Sequence, residues 1–69
     1  MNINIRFFAI VNVDDEIEEV EITMTSFEWL VGEGATISYE RHTVYENGVR
    51  QICLTVDSIY DVEDLEVIK

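Results

Sequence analysis

Cys53 and His42 are the residues whose types first suggest chemistry, because a thiol beside an imidazole can act as a nucleophile with its base. An Asn47-Gly48 hairpin turn would place the two residues on neighbouring strands. A flat strand position, however, offers neither an oxyanion hole nor a third group that orients the imidazole. The sequence therefore predicts a protein that is not an enzyme, and we expect no catalytic residue.

Carboxylates are abundant, with 15 Asp and Glu residues against 4 Lys and Arg and a formal net charge of −11. Calcium binds such oxygens, but neither acidic segment has the glycine that lets a calcium loop turn sharply around the ion. No carboxylate pair is accompanied by residues that would build a sugar-binding cleft. Gly32-Glu33-Gly34 lacks the strand-before-helix context of a nucleotide loop and indicates a helix end. We expect neither a metal nor a cofactor.

Eleven of the acids fall in two segments, residues 11–21 and 57–66, that contain no Lys or Arg. Two unscreened carboxylates ~7 Å apart in water repel by about 0.6 kcal/mol, so this surplus opposes the folding of a small domain. An anionic surface gains association rate from a cationic groove, as DNA phosphates do. We therefore expect a DNA mimic that binds a basic nucleic-acid-binding protein and no nucleic acid itself. The predicted phosphate-mimicking residues are Asp14, Asp15, Glu16, Glu18, Glu19, Glu21, Asp57, Asp61, Glu63, Asp64 and Glu66.

The elements that must position these acids begin with a strand over residues 2–13, in which apolar and polar residues alternate. One face carries Ile3, Ile5, Phe7, Ala9, Val11 and Val13. Phe8 and Ile10 lie on the other face, which predicts that both sides of the strand are covered, one by a helix and one by a partner subunit. The sequence thus favours a homodimer.

A polar turn at Asp14, Asp15 and Glu16 predicts a hairpin to a second strand. In that strand Val20, Ile22 and Met24 should point inward, and the outward residues should include Glu19 and Glu21, ~6.6 to 6.8 Å apart on one face.

Thr25-Ser26-Phe27-Glu28 fits a capping box and predicts a helix of about two turns. Its apolar stripe should consist of Phe27, Leu30 and Val31. Trp29 lies off this stripe, so it belongs either to the rim of the core or to an exposed partner contact.

Asn47-Gly48 predicts a second hairpin with a two-residue type I′ turn. The expected neighbours are Thr43 with Ile52, Arg41 with Leu54, Tyr39 with Val56, Val44 with Gln51, His42 with Cys53 and Glu40 with Thr55. Ile37 and Tyr39 should point inward, together with Ile52, Leu54 and Val56. In the tail, Ile59, Val62 and Leu65 could form a helical turn, and residues 65–68 a short edge strand. The prediction is one α+β domain, residues 1–69, with a mainly antiparallel sheet and one short helix (ββαββ plus a short C-terminal segment).

Small size, strong acidity and a sheet with one short helix resemble the phage-encoded DNA mimics, in particular the host-takeover proteins that block the nucleoid-associated protein HU as dimers. This resemblance covers the whole chain in general character, without a diagnostic motif. It implies inhibition of HU in the cytoplasm or nucleoid of the host cell. The lack of a secretory signal and of a long apolar run also indicates a cytoplasmic protein that does not bind membranes.

A more local resemblance involves Ser26-Phe27-Glu28-Trp29-Leu30-Val31-Gly32, which follows an acidic turn and a strand. This segment is similar to the helix of the short phage inhibitors of uracil-DNA glycosylase, although Val31 stands where that family has a tyrosine. The resemblance implies that Phe27 and Glu28 grip the DNA-inserting loop of the enzyme.

Two further classes of protein would also bind a basic surface. An antirestriction or anti-CRISPR inhibitor would share the acidic mechanism and differ only in its target. A small assembly or adaptor subunit would depend more on its exposed apolar residues than on its acids. The candidate partner or dimer contacts are Phe8, Ile10, Phe27, Glu28 and Trp29.

Overall fold

The computed structural model describes residues 3–69 as one four-stranded sheet with one α-helix. The elements are β1 (Ile3–Val13), β2 (Glu16–Ile22), α1 (Met24–Gly32), β3 (Ile37–Val44), β4 (Arg50–Asp61) and a 3₁₀ turn (Val62–Asp64). The strand order is β2-β1-β4-β3, and the predicted ββαββ order of an α+β domain is confirmed. The central strands β1 and β4 are parallel, whereas both outer strands pair antiparallel with their neighbours.

The β1–β2 connection is a two-residue turn at Asp14 and Asp15, with φ of 50° and 66°. Left-handed backbone at both positions is the geometry of a type I′ turn, whose twist matches that of the flanking strands. Aspartate adopts this region more readily than most residues. Glu16 already belongs to β2 and faces Val13, so the turn is one residue shorter than predicted.

The helix begins earlier than predicted, because Thr23 rather than Thr25 is its N-cap. The Thr23 hydroxyl accepts a hydrogen bond from the Ser26 N–H at 3.2 Å, while the Thr23 N–H donates to the Glu66 carbonyl at 3.0 Å. The hydrogen bond to the C-terminal segment therefore fixes Thr23, directly after the end of β2 at Ile22, in the position from which its hydroxyl caps the helix. The predicted capping box is wrong, and Met24 is an exposed helical residue rather than an inward strand residue.

The core lies between α1 and one face of the sheet, hereafter the helix-bearing face. Its buried residues are Ala9, Val11, Ile22, Leu30, Val56 and Leu65, and the half-buried residues packed against them include Phe7, Val20 and Phe27. Leu30 and Phe27 confirm the predicted stripe, but Val31 is exposed and Ser26 is buried instead.

The helix covers only part of its face. It has 9 residues, about 13 Å, against a β1 of 11 residues, about 36 Å. Ile3 and Ile5 share a face with Ala9, yet each is 53% exposed because the helix ends short of them.

The turn between β3 and β4 has three residues, Glu46, Asn47 and Gly48, rather than the predicted two. The Tyr45 N–H donates to the Val49 carbonyl, the Gly48 N–H donates to the Tyr45 carbonyl, and Gly48 has φ of 80°. This is a type I turn followed by a left-handed glycine, in place of the predicted type I′ turn.

The extra turn residue shifts the predicted register by one. Arg41 faces Cys53, His42 faces Ile52 and Tyr39 faces Thr55. The predicted pairs are therefore wrong, and Tyr39 points away from the helix-bearing face and is 58% exposed. Ile37 does lie opposite Val56, but at the exposed margin of the sheet.

The C-terminal segment crosses the helix-bearing face and returns to β2. Strand β4 continues through an irregularity at Ser58, which has φ of 71°, so Ile59 is a strand residue and not part of a helical turn. After the 3₁₀ turn, Leu65 is buried and Val67 forms a single antiparallel bridge with Ile22. The predicted edge strand is thus reduced to one bridge.

Candidate functional site

Acidic residues from both ends of the chain meet at one end of the sheet. Because β1 and β4 are parallel, they finish side by side, with Asn12 opposite Asp61. The β1–β2 turn and the 3₁₀ turn follow directly from these strand ends. All the acids gathered there are exposed, and none has an ion-pair partner within residues 3–69. We call this set the acidic end: Asp14, Asp15, Glu16, Glu18, Asp61, Glu63 and Asp64.

Glu19 and Glu21 lie elsewhere, on the face of the sheet opposite the helix, hereafter the open face. They do form the predicted row on one side of β2, but each is ion-paired. Arg41 donates to Glu19 at 3.0 Å, and Arg6 donates to both carboxylate oxygens of Glu21 at 2.6 and 3.0 Å. The hydrogen bonds from Arg6 also hold the pKa of Glu21 below its ordinary value. These two carboxylates therefore add no uncompensated charge to the acidic end.

The arginines of these pairs cover the open face. Arg41 extends from β3 across β4 and β1 to reach Glu19 on β2. The guanidinium carbons of Arg6 and Arg41 lie 5.2 and 5.0 Å from the centroid of the Phe8 ring. Such long side chains bury apolar surface along their stems while their charges stay partly in water.

Phe8 is consequently only 9% exposed. The expectation that a partner subunit covers Phe8 is corrected, because the protein's own arginines do so. Ile10 beside it is half-buried and remains accessible in part.

Two acids of the second acidic segment, Asp57 and Glu66, accept hydrogen bonds from residues that connect the strands and the helix. The Asp57 carboxylate accepts hydrogen bonds from the Thr36 N–H at 3.2 Å and from the Thr36 hydroxyl at 2.8 Å. The Glu66 carboxylate accepts one from the Thr23 hydroxyl at 3.3 Å, next to the helix cap. The eleven predicted carboxylates thus divide into seven at the acidic end, two in ion pairs and two that fasten connections.

The helix offers a smaller set of exposed residues than its sequence suggested. Phe27 packs on Phe7 with ring centroids 4.3 Å apart, so it belongs to the core. Glu28 is exposed, and Trp29 is 49% exposed. Of the two residues implicated by the glycosylase-inhibitor resemblance, Glu28 is exposed, whereas Phe27 is half-buried against the core.

His42 and Cys53 do not form the pair that the predicted register suggested. Cys53 is buried on the open face opposite Arg41, whereas His42 lies on the other face and contacts Glu40 at 2.7 Å. Among residues 3–69, no three His, Cys, Asp or Glu side chains are grouped so as to hold a metal ion. Within the same residues, no helix has the length and apolar character needed to span a membrane.

The three arginines lie away from the acidic end. Arg50 begins β4 and Asp61 ends it, so the two residues are separated by about 36 Å of extended chain. Arg6 and Arg41 are committed to carboxylates of the open face. The acidic end can therefore attract a cationic surface without competition from a neighbouring arginine. No protein-family model matches this chain, and neither a curated protein nor a solved structure matches it.

Proposed function

We propose that this protein is a noncatalytic inhibitor that binds, through its acidic end, the DNA-binding surface of a basic protein and blocks the binding of DNA. The observation that carries this proposal is the convergence, at one end of a chain with net charge −11, of seven exposed carboxylates that form no ion pair with any residue from 3 to 69. Crowding of this kind destabilises a fold unless a cationic surface receives the charge.

The spacing of the acids supports a mimic of the DNA backbone. Glu16 and Glu18 lie on one face of β2, two residues and therefore ~6.6 to 6.8 Å apart. Phosphates of one DNA strand recur on a similar scale, with a rise of about 3.4 Å per nucleotide along a helical path. A target that neutralises several phosphates could neutralise these carboxylates with the same lysines and arginines.

The resemblance to phage host-takeover proteins makes nucleoid-associated HU the first target to test. Inhibition of a restriction, CRISPR or uracil-excising enzyme would use the same electrostatic mechanism on a different surface. A host cytoplasmic location follows from any of these targets.

A competition assay tests the proposal by measuring displacement of a labelled DNA duplex from purified HU. The triple variant Asp15→Asn, Glu16→Gln and Glu18→Gln removes three charges from the acidic end. Exposed ion pairs contribute ~0.2 to 1 kcal/mol each, so the variant should bind roughly tenfold more weakly. Displacement by the wild-type protein should also weaken steeply between about 50 and 200 mM salt.

Glu28→Gln, Glu33→Gln and Glu46→Gln form the matched control, because they remove the same charge from exposed positions outside the acidic end. This control should displace DNA nearly as well as the wild type. Equal losses from both triple variants, or displacement that does not respond to salt, would refute the acidic end as the binding surface.

The exposure of Trp29 favours one second candidate, an adaptor subunit that docks through its helix. In that case Trp29→Ala should abolish capture of the partner while the triple acidic variant retains it. The DNA-mimic proposal expects the reverse order of effects.

A further inference from the structure

The outer strand β3 is a free sheet edge. Within residues 3–69, no strand pairs with its outer side. The other edge strand, β2, is protected, because it carries four glutamates and because Val67 and Ile68 contact its end. Native proteins block edge strands with charge of one sign, with bulges or with covering segments. Strand β3 has a register irregularity between Ile37 and Tyr39, but its regular part, residues 40–44, carries charges of both signs and can pair with another strand.

The hydrogen bonds of the β3–β4 turn establish which β3 residues point outward. The Tyr45 N–H donates to Val49 on β4, and the direction alternates along an antiparallel strand. Arg41 and Thr43 therefore bond to β4, whereas Glu40 and His42 present their N–H and C=O groups to the outside. Val44 is the next residue of β3 whose backbone groups point outward, and it is 63% exposed.

We propose that β3 pairs antiparallel with β3 of a second copy of this chain, giving a continuous eight-stranded sheet. Charge decides between the edges. Strand β3 holds one glutamate, one arginine and one histidine, so two copies can approach there with little repulsion. Pairing through β2 would instead set four glutamates against four.

The pairing also has a preferred register. Two-fold symmetry and the outward groups allow Glu40 to lie opposite the partner's His42, and His42 opposite the partner's Glu40. Pairing Glu40 with its own copy would place like charges in contact. In the preferred register Arg41 is at the centre, but its guanidinium is turned inward to Glu19 and away from the partner.

This arrangement keeps the two acidic ends apart. Strand spacing of about 4.8 Å separates β1 from the partner's β1 by about 24 Å across the sheet, and the ends point in opposite directions along the strands. The separation is several times the Debye length of about 8 Å at physiological salt. The dimer does not depend on the proposed DNA mimicry, and its interface excludes Phe8, Ile10 and Trp29.

Sedimentation equilibrium tests the dimer with a pair of variants at one position. The wild-type protein should have a mass of about 16 kDa, twice the chain mass of 8.0 kDa. His42→Pro removes an outward N–H but no bond to β4, so it should be monomeric with an unchanged sheet spectrum. His42→Thr loses the same imidazole, keeps the N–H and should remain a dimer.

Two variants of opposite charge at position 42 test the same interface if the proline variant unfolds. His42→Glu sets a glutamate opposite Glu40 at two symmetric places about 5 Å apart, which should weaken association roughly fifteen-fold and recover at high salt. His42→Lys should dimerise at least as well as the wild type. A wild-type protein that stays monomeric at millimolar concentration, or equal association of the Glu and Lys variants, would overturn the proposal. Association with an unrelated extended peptide but not with itself would overturn it as well.

Discussion

Glu18 and Glu19 are neighbours in sequence, but the structure gives them opposite roles. Glu18 is an exposed member of the acidic end and forms no ion pair in the described part of the chain, residues 3–69. Glu19 accepts hydrogen bonds from Arg41 at 3.0 Å and from the Thr55 hydroxyl at 3.1 Å. We therefore expect Glu19→Ala to destabilise the fold and Glu18→Ala to leave it nearly unchanged.

Two contributions set the size of the Glu19→Ala effect. The ion pair is partly exposed, with side-chain exposures of 40% for Arg41 and 34% for Glu19, and such pairs contribute ~0.2 to 1 kcal/mol. Thr55 is only 1% exposed, so its unpaired hydroxyl costs ~1 to 3 kcal/mol. The free energy of unfolding should fall by about 2 kcal/mol, which lowers the Tm by roughly 8 to 16 °C in a domain of this size.

Thermal and urea unfolding of both alanine variants provide the measurement. Because each variant places alanine on β2 and removes one carboxylate, differences in strand propensity and net charge largely cancel. Glu18→Ala should stay within about 0.5 kcal/mol of the wild type.

Thr55→Val supplies the second arm of a double-mutant cycle. Without the Thr55 hydroxyl, Glu19→Ala should cost only the ion pair, ~0.2 to 1 kcal/mol. If the two alanine variants were equally stable, or if the cost of Glu19→Ala were the same with valine at position 55, the structural role assigned to Glu19 would be wrong.

Two further predictions concern pH and the first turn. The hydrogen bonds from Arg6 lower the pKa of Glu21 in the folded state. The Arg6–Glu21 pair therefore stabilises the fold at any pH above the pKa of an unfolded glutamate, about 4.3. Its contribution disappears as the pH falls through the lower pKa of the folded state. Arg6→Met should therefore be less stable than the wild type at neutral pH, with a difference in Tm that shrinks in acid; a difference independent of pH would contradict this. Asp15 has φ of 66°, so in urea unfolding Asp15→Gly should be more stable than Asp15→Ala by roughly 1 to 2 kcal/mol. Equal stability of these two variants would contradict the left-handed turn.

The order of elements was predictable because alternation and turn residues are local signals. The two faces of β1 follow directly from its period of two, and the first hairpin from its run of acids. The parallel pairing of β1 with β4 was not predicted, since it joins residues about 50 positions apart and leaves no local pattern. That pairing is what brings Asp61 beside the first acidic turn.

The other differences between the predicted and the observed structure concern the β3–β4 turn, the helix cap and the surroundings of Phe8, which hydrophobic periodicity does not determine. Asn47-Gly48 fits two hairpin turns of different length, and the three-residue form moved every predicted pair by one. Thr23 and Thr25 are both acceptable caps, and the distant Glu66 carbonyl selected Thr23. A partner subunit was expected to cover Phe8 because the sequence does not show that Arg6 and Arg41 lie across its ring.

The position of β4 in the sheet also governs how the molecule can be made. The hydrophobic core includes Val56 and Leu65, so it stays incomplete on the ribosome until these late residues have been synthesised. Strand β1 is synthesised first but pairs with β4, which is synthesised last, and pairing between such distant residues slows folding. Removing the final residues should accordingly release the helix cap and expose Leu65, which makes the C-terminus a poor site for truncation.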